Sequence, residues 1–350
     1  MLLPTSELAV LLILALSVVA WGSWTSMFNV AKKWRFELFY YDFALGFALA
    51  AVLAAFTLGS WDSSDLTFQD NFLLAGRRSM VWVAGAGILL GIADLFLLAG
   101  ATVSGTGVAF MLAFGVLVAI NTVWELSVNT RLNLVLASSG AAMALVAVVL
   151  AALAYRWRLS DEEHEEEVAL RTDPRAKKNV PPKPSTRSGP VLAVLAGIVL
   201  ALFLRTLGNG ITEDGGVGPY GALLLLSVGV VGTTIVFVPF FLYFPLRGGA
   251  LQVRHYFKGN RKHHLLGLCG GALGGTAMLT LMMAKSAAAA VQPGPVPEYL
   301  LSYGAPVVAG IWGMFVWREF AGAVFRVNVM FFVSVVALLA ALSLIGVSFL

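Results

Sequence analysis

Charge is what this chain has least of. Of 350 residues, 12% are Asp, Glu, Lys or Arg, about half the share of an ordinary globular protein. That scarcity excludes a soluble globular enzyme. It also excludes a disordered chain, which carries charge in place of apolar residues. A single cysteine, Cys269, excludes an internal disulfide framework and leaves the redox compartment open. The four histidines, His164, His255, His263 and His264, show no H-E-x-x-H spacing, and no G-x-S-x-G elbow or G-x-x-x-x-G-K-[ST] loop occurs. Nothing here points to an enzyme, a nucleotide site or a bound cofactor. For His263-His264 a metal role is the weaker reading beside a solvated interface pair. No Lys or Arg precedes Lys32, so the first apolar stretch lacks a basic leader region. Running from Leu8 to Val30, it reads as a membrane helix rather than a signal peptide.

What is abundant is apolar. Hydrophobic residues make up 59% of the chain, enough for about ten bilayer spans of about 20 residues each. Apolar runs of that length fall near 7–30, 38–58, 80–103, 107–127, 132–155, 190–208, 219–246, 264–286, 296–317 and 328–348. The expectation is an all-α, polytopic protein of the cell membrane with about ten transmembrane helices. One connection differs. Residues 156–189 hold 15 of the 42 charges, with the run from Asp161 to Glu167 followed by Pro181, Pro182 and Pro184. Such a composition is expected to stay a solvated linker between residues 1–155 and 190–350. Loops after the odd-numbered spans hold 18 of the 23 Lys and Arg residues, which by the positive-inside rule makes the linker cytoplasmic and faces both termini outward. The net charge of +4 is then a topology signal and implies no nucleic-acid partner.

The two halves look related. Gly87-Ile88-Leu89-Leu90-Gly91 in the third span matches Gly271-Ala272-Leu273-Gly274-Gly275 in the eighth. Met111-Leu112-Ala113-Phe114-Gly115 in the fourth matches Leu300-Leu301-Ser302-Tyr303-Gly304 in the ninth. Glycines four apart let two membrane helices approach closely; chance matching among 36 glycines is the competing reading. Because five is odd, a duplicated five-helix unit inserts in opposite orientations, the inverted repeat of many secondary transporters.

A family resemblance adds to this. Trp21-Gly22-Ser23-Trp24, Lys32-Lys33-Trp34-Arg35-Phe36-Glu37 and Tyr40-Tyr41-Asp42 resemble the start of bacterial glucose/ribose/rhamnose-type sugar porters in the drug/metabolite transporter superfamily. Gly218-Pro219-Tyr220-Gly221, Phe237-Val238-Pro239-Phe240-Phe241, Gly105–Phe110 and Trp312–Glu319 resemble the related ureide permease-like branch. The resemblance covers nearly the whole chain, least of all the linker. It implies ten helices in two inverted five-helix repeats and transport of a small polar metabolite.

The informative residues are polar groups at membrane depth. Asp94 lies about 4 Å from the middle of its span at 1.5 Å per residue, where a charge costs at least about 2.5–3.5 kcal/mol. Gly87, Gly91, Asp94 and Leu98 share one helical stripe, so the carboxylate is expected on the close-packing face. It reads as a proton-coupling or substrate-binding group, or as a neutral acid bridging to backbone. Asn121, Trp124 and Glu125 fall at i, i+3 and i+4, with Phe114 and Leu117 continuing their stripe inward. Amide, indole and carboxylate together suit a hydroxyl-rich or ureido ligand; an interfacial aromatic belt is the alternative for Trp124. Trp21, Trp24 and Phe28 form a third stripe, either substrate-lining or core. Repeat symmetry adds Tyr299 and Tyr303. Glu37 and Asp42, among Lys32, Lys33 and Arg35, read as ion pairs at the membrane edge.

The favoured function is a secondary active transporter for a small polar metabolite, sugar or ureide-like. Asp94 would carry the coupling proton, and Trp21, Trp24, Asn121, Trp124, Glu125, Tyr299 and Tyr303 would line the site. The partners are the substrate and the bilayer, and the proton gradient takes the place of a cofactor. A metabolite or drug exporter of the same superfamily is the alternative, and a non-transporting membrane scaffold or sensor is another. A polar cavity reaching Asp94 between the halves would separate transporter from scaffold.

Overall fold

The computed structural model describes residues 1–31, 34–61, 67–172, 187–211, 215–246 and 248–350. The described residues form helices and no strands: α1 Glu7–Val30, α2 Phe36–Phe56, α3 Phe68–Leu74, α4 Arg77–Ser104, α5 Thr106–Val128, α6 Leu134–Thr172, α7 Ser188–Ile211, α8 Pro219–Tyr243, α9 Arg261–Lys285, α10 Pro295–Tyr303, α11 Ala305–Ile311 and α12 Phe325–Val347. Among them nine are long and apolar enough to cross a membrane, and the bent pair formed by α10 and α11 makes a tenth if taken as one span. Lipid offers backbone groups no partners, so helices that satisfy themselves internally are the natural solution. Their ends carry local signals. The Ser6 hydroxyl accepts from the Ala9 amide, and the Asn260 side chain accepts from that of His263. The protein is an all-α, multi-pass membrane protein.

Two boundaries differ from the sequence expectation. The fifth span does not stop at 155 but continues as α6 through Thr172. Residues 156–172 contain no Gly or Pro and many Glu, Arg and Leu. Extending an existing helix avoids the cost of nucleation, and the first proline, Pro174, comes two residues past its end. Arg326 bonds Asp161 at 2.8 Å and lies over the Trp157 ring. The start of the expected linker is therefore ordered; 173–186, with its prolines, lies outside the described residues. The second difference is the ninth span, which bends by 47° between α10 and α11 and ends in a π turn, Trp312–Val316. Pro306 has no N–H to return to the Ser302 carbonyl, and its ring crowds that oxygen.

Packing follows a repeated scheme. α4 packs on α7 as α9 packs on α1, and α4 packs on α8 as α9 packs on α2. α5 packs on α6 and α7 as the ninth span packs on α12 and α1, while α2 with α8, α6 with α12 and α5 with α11 pair across the halves. Exchanging each span with the one five places later preserves every one of these neighbours. The matched glycines sit at corresponding crossings. A Cβ on Gly87 would collide with the Leu226 backbone of α8, and one on Gly271 with the Phe43 backbone of α2. Gly87 itself faces a glycine, Gly229, and on the same α2–α9 crossing Gly46 lies against the Leu268 backbone. Taken in order, the spans alternate in direction. One end of the bundle therefore gathers the C-terminal ends of α1, α4, α6 and α8, here called the linker end.

Candidate functional site

At the end away from the linker, the halves meet through polar side chains. The Asn121 amide in α5 donates to the hydroxyl of Tyr303, the last residue of α10, at 3.5 Å. Tyr303 lies obliquely against Tyr299, one turn earlier, with ring centroids 5.5 Å apart. Glu125, one turn past Asn121, is close enough for its charge to act on both tyrosines. At the rim, Lys285 at the end of α9 pairs with Glu298 in the first turn of α10. Neither rim residue stands out in the sequence, because each sits at a helix end beside a loop.

Nearer the membrane centre the lining turns aromatic. Trp21 stands edge-on to Phe114 with centroids 5.8 Å apart, and Phe114 stacks on Phe110 at 5.7 Å. Gly22 brings α1 against the start of α11; a Cβ there would lie 2.7 Å from the Ala305 carbonyl oxygen. The indole Nε1 of Trp21 and the Ser302 hydroxyl are buried and have no hydrogen-bond partner among the described residues. Leaving such a group unpaired costs about 1–3 kcal/mol.

Two other expected residues are not brought to this place. Trp24 is fully buried against Phe43, with centroids 4.6 Å apart. Three residues on from Trp21 turns a helix by about 60° from the starting direction, enough to move the ring from the α5 side to the α2 side. Trp124 is 45% exposed on the outside of the bundle, with the Arg205 guanidinium over its ring at 4.7 Å. It occupies the belt position.

The linker end holds a cavity of about 680 Å³. It opens between the end of α1, the start of α2, the end of α4 and the turn after the ninth span, so both halves contribute to its wall. Asn29, Arg35, Glu37, Thr102, Arg158 and Glu319 supply its polar groups, and Phe28, Trp34, Phe36 and Trp317 its aromatic faces. Arg35 and Glu37 are paired with each other. The Trp34 ring is stacked on His263 with centroids 4.7 Å apart, and its Nε1 is buried without a partner among the described residues. Asn29 donates to the Thr106 hydroxyl at 3.0 Å. Glu319 accepts from the amides of Thr106 and Gly107 at 2.5 and 3.0 Å. Burial pushes its carboxyl upward against those bonds and against Arg158, which hold it down. Sequence reasoning gave Glu319 no role beyond its motif, since its partners lie more than two hundred positions earlier.

Asp94 sits apart from both places. It is buried, as its glycine stripe predicts, in the packing of α4 on α8 and near α2. The Tyr40 hydroxyl beside it donates to the Gly91 carbonyl at 2.7 Å, while Asp94 Oδ1 is buried with no partner among the described residues. The cavity wall includes Ala101, Thr102 and Val103 of the same helix and so stops about 10 Å short of Asp94 along α4; the expected cavity reaching Asp94, which would separate transporter from scaffold, is not found among the described residues. Glu37 and Asp42 are paired as expected, with Arg35 and His264, but are buried, 1% and 2% exposed. Asp42 accepts from the Tyr256 hydroxyl at 2.6 Å and lies 2.9 Å from His264 Nδ1, tying α2 to α9. Burial and that bond push the Tyr256 phenol upward. Among the described residues no group of three or more His, Cys, Asp or Glu could hold a metal ion.

Comparison with protein families and with characterised proteins finds no match to this sequence.

Proposed function

We propose that the protein is a secondary active transporter that moves a small polar metabolite across its membrane. The observation that carries this reading is the line of polar groups running between the halves. A 680 Å³ cavity opens at the linker end, the Trp21–Phe114 pair stands in the middle, and Asn121 and Tyr303 close the opposite end. The unpaired donors of Trp21, Ser302 and Trp34 along this line are what a ligand rich in hydroxyl or ureido acceptors would satisfy, with the aromatic faces against its flat parts. A cavity at one end with contacts at the other is one half of an alternating-access cycle. The exchangeable packing scheme and the paired glycine crossings support two inverted five-helix repeats as its frame. The resemblance to sugar porters and ureide permease-like proteins supports a sugar or ureide-like substrate and a cell-membrane location, with the linker end cytoplasmic.

In this reading Asn121, Glu125, Tyr299 and Tyr303 with Trp21 bind substrate, and Asp94 carries the coupling proton. An unpaired carboxylate oxygen in the packed interior favours an acid that gains and loses a proton over a permanently charged ligand group. The test is uptake of a labelled panel of sugars, ureides and other polar metabolites into proteoliposomes, with and without a pH gradient. Accumulation of one compound class that needs the gradient supports the proposal; a full panel with no uptake and no exchange overturns it.

A further inference from the structure

Glu319 has no part in the scheme above. It belongs to the turn after the ninth span, yet its carboxylate reaches the first half and takes the Thr106 and Gly107 amides at 2.5 and 3.0 Å. Those are first-turn donors of α5, which find no partner inside their own helix, and the positive helix end favours a negative charge there. The seat is cut to the size of a carboxylate. A Cβ on Gly105, Gly107 or Gly313 would come within 2.7, 3.5 or 2.6 Å of Glu319 Oε2. The same side chain lines the cavity, so water entering from the linker end reaches the seat.

We propose that Glu319 is a proton-binding latch at the cavity mouth. Ionised, it ties the turn behind the ninth span to the start of α5 and holds the two halves together there. A proton taken from cavity water by a carboxylate oxygen removes the charge and the charge-assisted part of both hydrogen bonds, which are about twice as strong as neutral ones. The turn then leaves its seat. No other bond forms or breaks.

Among the described residues, few charges lie on the elements around the latch. α6 brings Arg158, whose positive charge favours the ionised form. The start of α2 brings Arg35 and Glu37, already paired with each other. Its own turn brings Arg318, the start of α12 brings Arg326, engaged by Asp161, and the first turn of α5 brings no charge. Burial pushes the carboxyl upward from its ordinary value. The latch deepens the transport reading by naming a proton site on the cavity itself, and rests on that reading for its part in coupling.

The experiment reads the latch without transport. In the full chain with Cys269→Ala, a nitroxide is attached at Thr102→Cys on the cavity wall. Its collisions with a neutral, water-soluble nickel chelate are followed from about pH 4 to about pH 9. With Glu319 present, the ratio of released to seated latch falls about tenfold as the pH rises through the titration, and accessibility falls with it. Glu319→Gln stays accessible and flat with pH, because an amide carries no charge to the helix end. Arg158→Gln still titrates, with its midpoint moved to higher pH. A pH profile that survives in Glu319→Gln, a flat profile with Glu319 intact, or a midpoint unmoved by Arg158→Gln overturns the latch. Failure of substrate uptake, measured separately in proteoliposomes, bears on the transport reading and not on this titration.

Discussion

Replacing Gly271 by Ala strikes the crossing of α9 on α2, one of the contacts that join the halves. A Cβ at this position would lie 2.6 Å from the Phe47 backbone nitrogen and nearer still to the Phe43 carbonyl. Both obstacles are backbone, so no side chain can swing aside. Restoring ordinary contact near 3.5 Å with the Phe43 carbonyl requires the helices to part by roughly 1.5 Å, a gap that forfeits about half or more of each dispersion contact along the crossing. Overpacking of this kind costs about 1–3 kcal/mol, and the rigid neighbours place the expected loss at the upper end, about 3 kcal/mol. Gly85 is the internal control. A Cβ there meets nothing within 4 Å, and Ala is the better helix former by about 1 kcal/mol, so Gly85→Ala should match or exceed the parent. Unfolding in mixed micelles with rising SDS, followed by circular dichroism, measures both. The two variants should differ by about 3–4 kcal/mol. If Gly271→Ala unfolds at the same SDS fraction as Gly85→Ala, the close backbone approach is not what holds these helices.

Asp94→Asn should fold nearly normally and keep substrate exchange, since the amide still donates and accepts, while gradient-driven accumulation disappears; full accumulation would remove Asp94 from the coupling role. Asn121→Ala should change stability by less than about 1 kcal/mol, because the bond it breaks is at the limit of length. Substrate affinity measured by calorimetry should nevertheless fall about tenfold or more. Trp21→Ala should abolish measurable binding and Trp124→Ala leave it within about twofold, since only the second ring faces the outside of the bundle; equal losses would contradict the assigned path. A cysteine at Ser185, outside the described residues, should react with an impermeant reagent only after cell lysis, and labelling of intact cells would reverse the orientation.

Much of the frame was readable from the residues because it depends on local or periodic features. Apolar run length set the spans, and the glycine stripe of Gly87 and Gly91 fixed the face on which Asp94 lies. The rest depends on contacts that no window of sequence contains. Whether Trp21 or Trp24 turns toward α5 depends on which helix flanks each side of α1. The Glu319 seat joins residues more than two hundred positions apart, and the Lys285–Glu298 pair spans a loop. The extension of α6 departs from the sequence expectation for a different reason. A highly charged stretch was read as unable to order itself, yet these residues are good helix formers appended to a helix already begun.

The break in the ninth span has a mechanical consequence. Its counterpart, α5, runs uninterrupted from Thr106 to Val128, whereas α10 is a separate rod of nine residues, about 13 Å long. It joins α11 through Gly304, beside a proline that cannot stitch the joint. That rod carries Tyr299 and Tyr303 against α5 and the C-terminal end of α12, so the mouth away from the linker can open by swinging one short lever. The linker-end mouth is walled by the ends of unbroken helices and by one turn, which Glu319 seats on the start of α5. The two mouths therefore differ in stiffness although the halves share one packing scheme. If the protein is the carrier proposed above, its one soft jaw and one hard jaw open at unequal rates, and the half-saturating substrate concentrations measured from the two faces of the bilayer will be unequal as well.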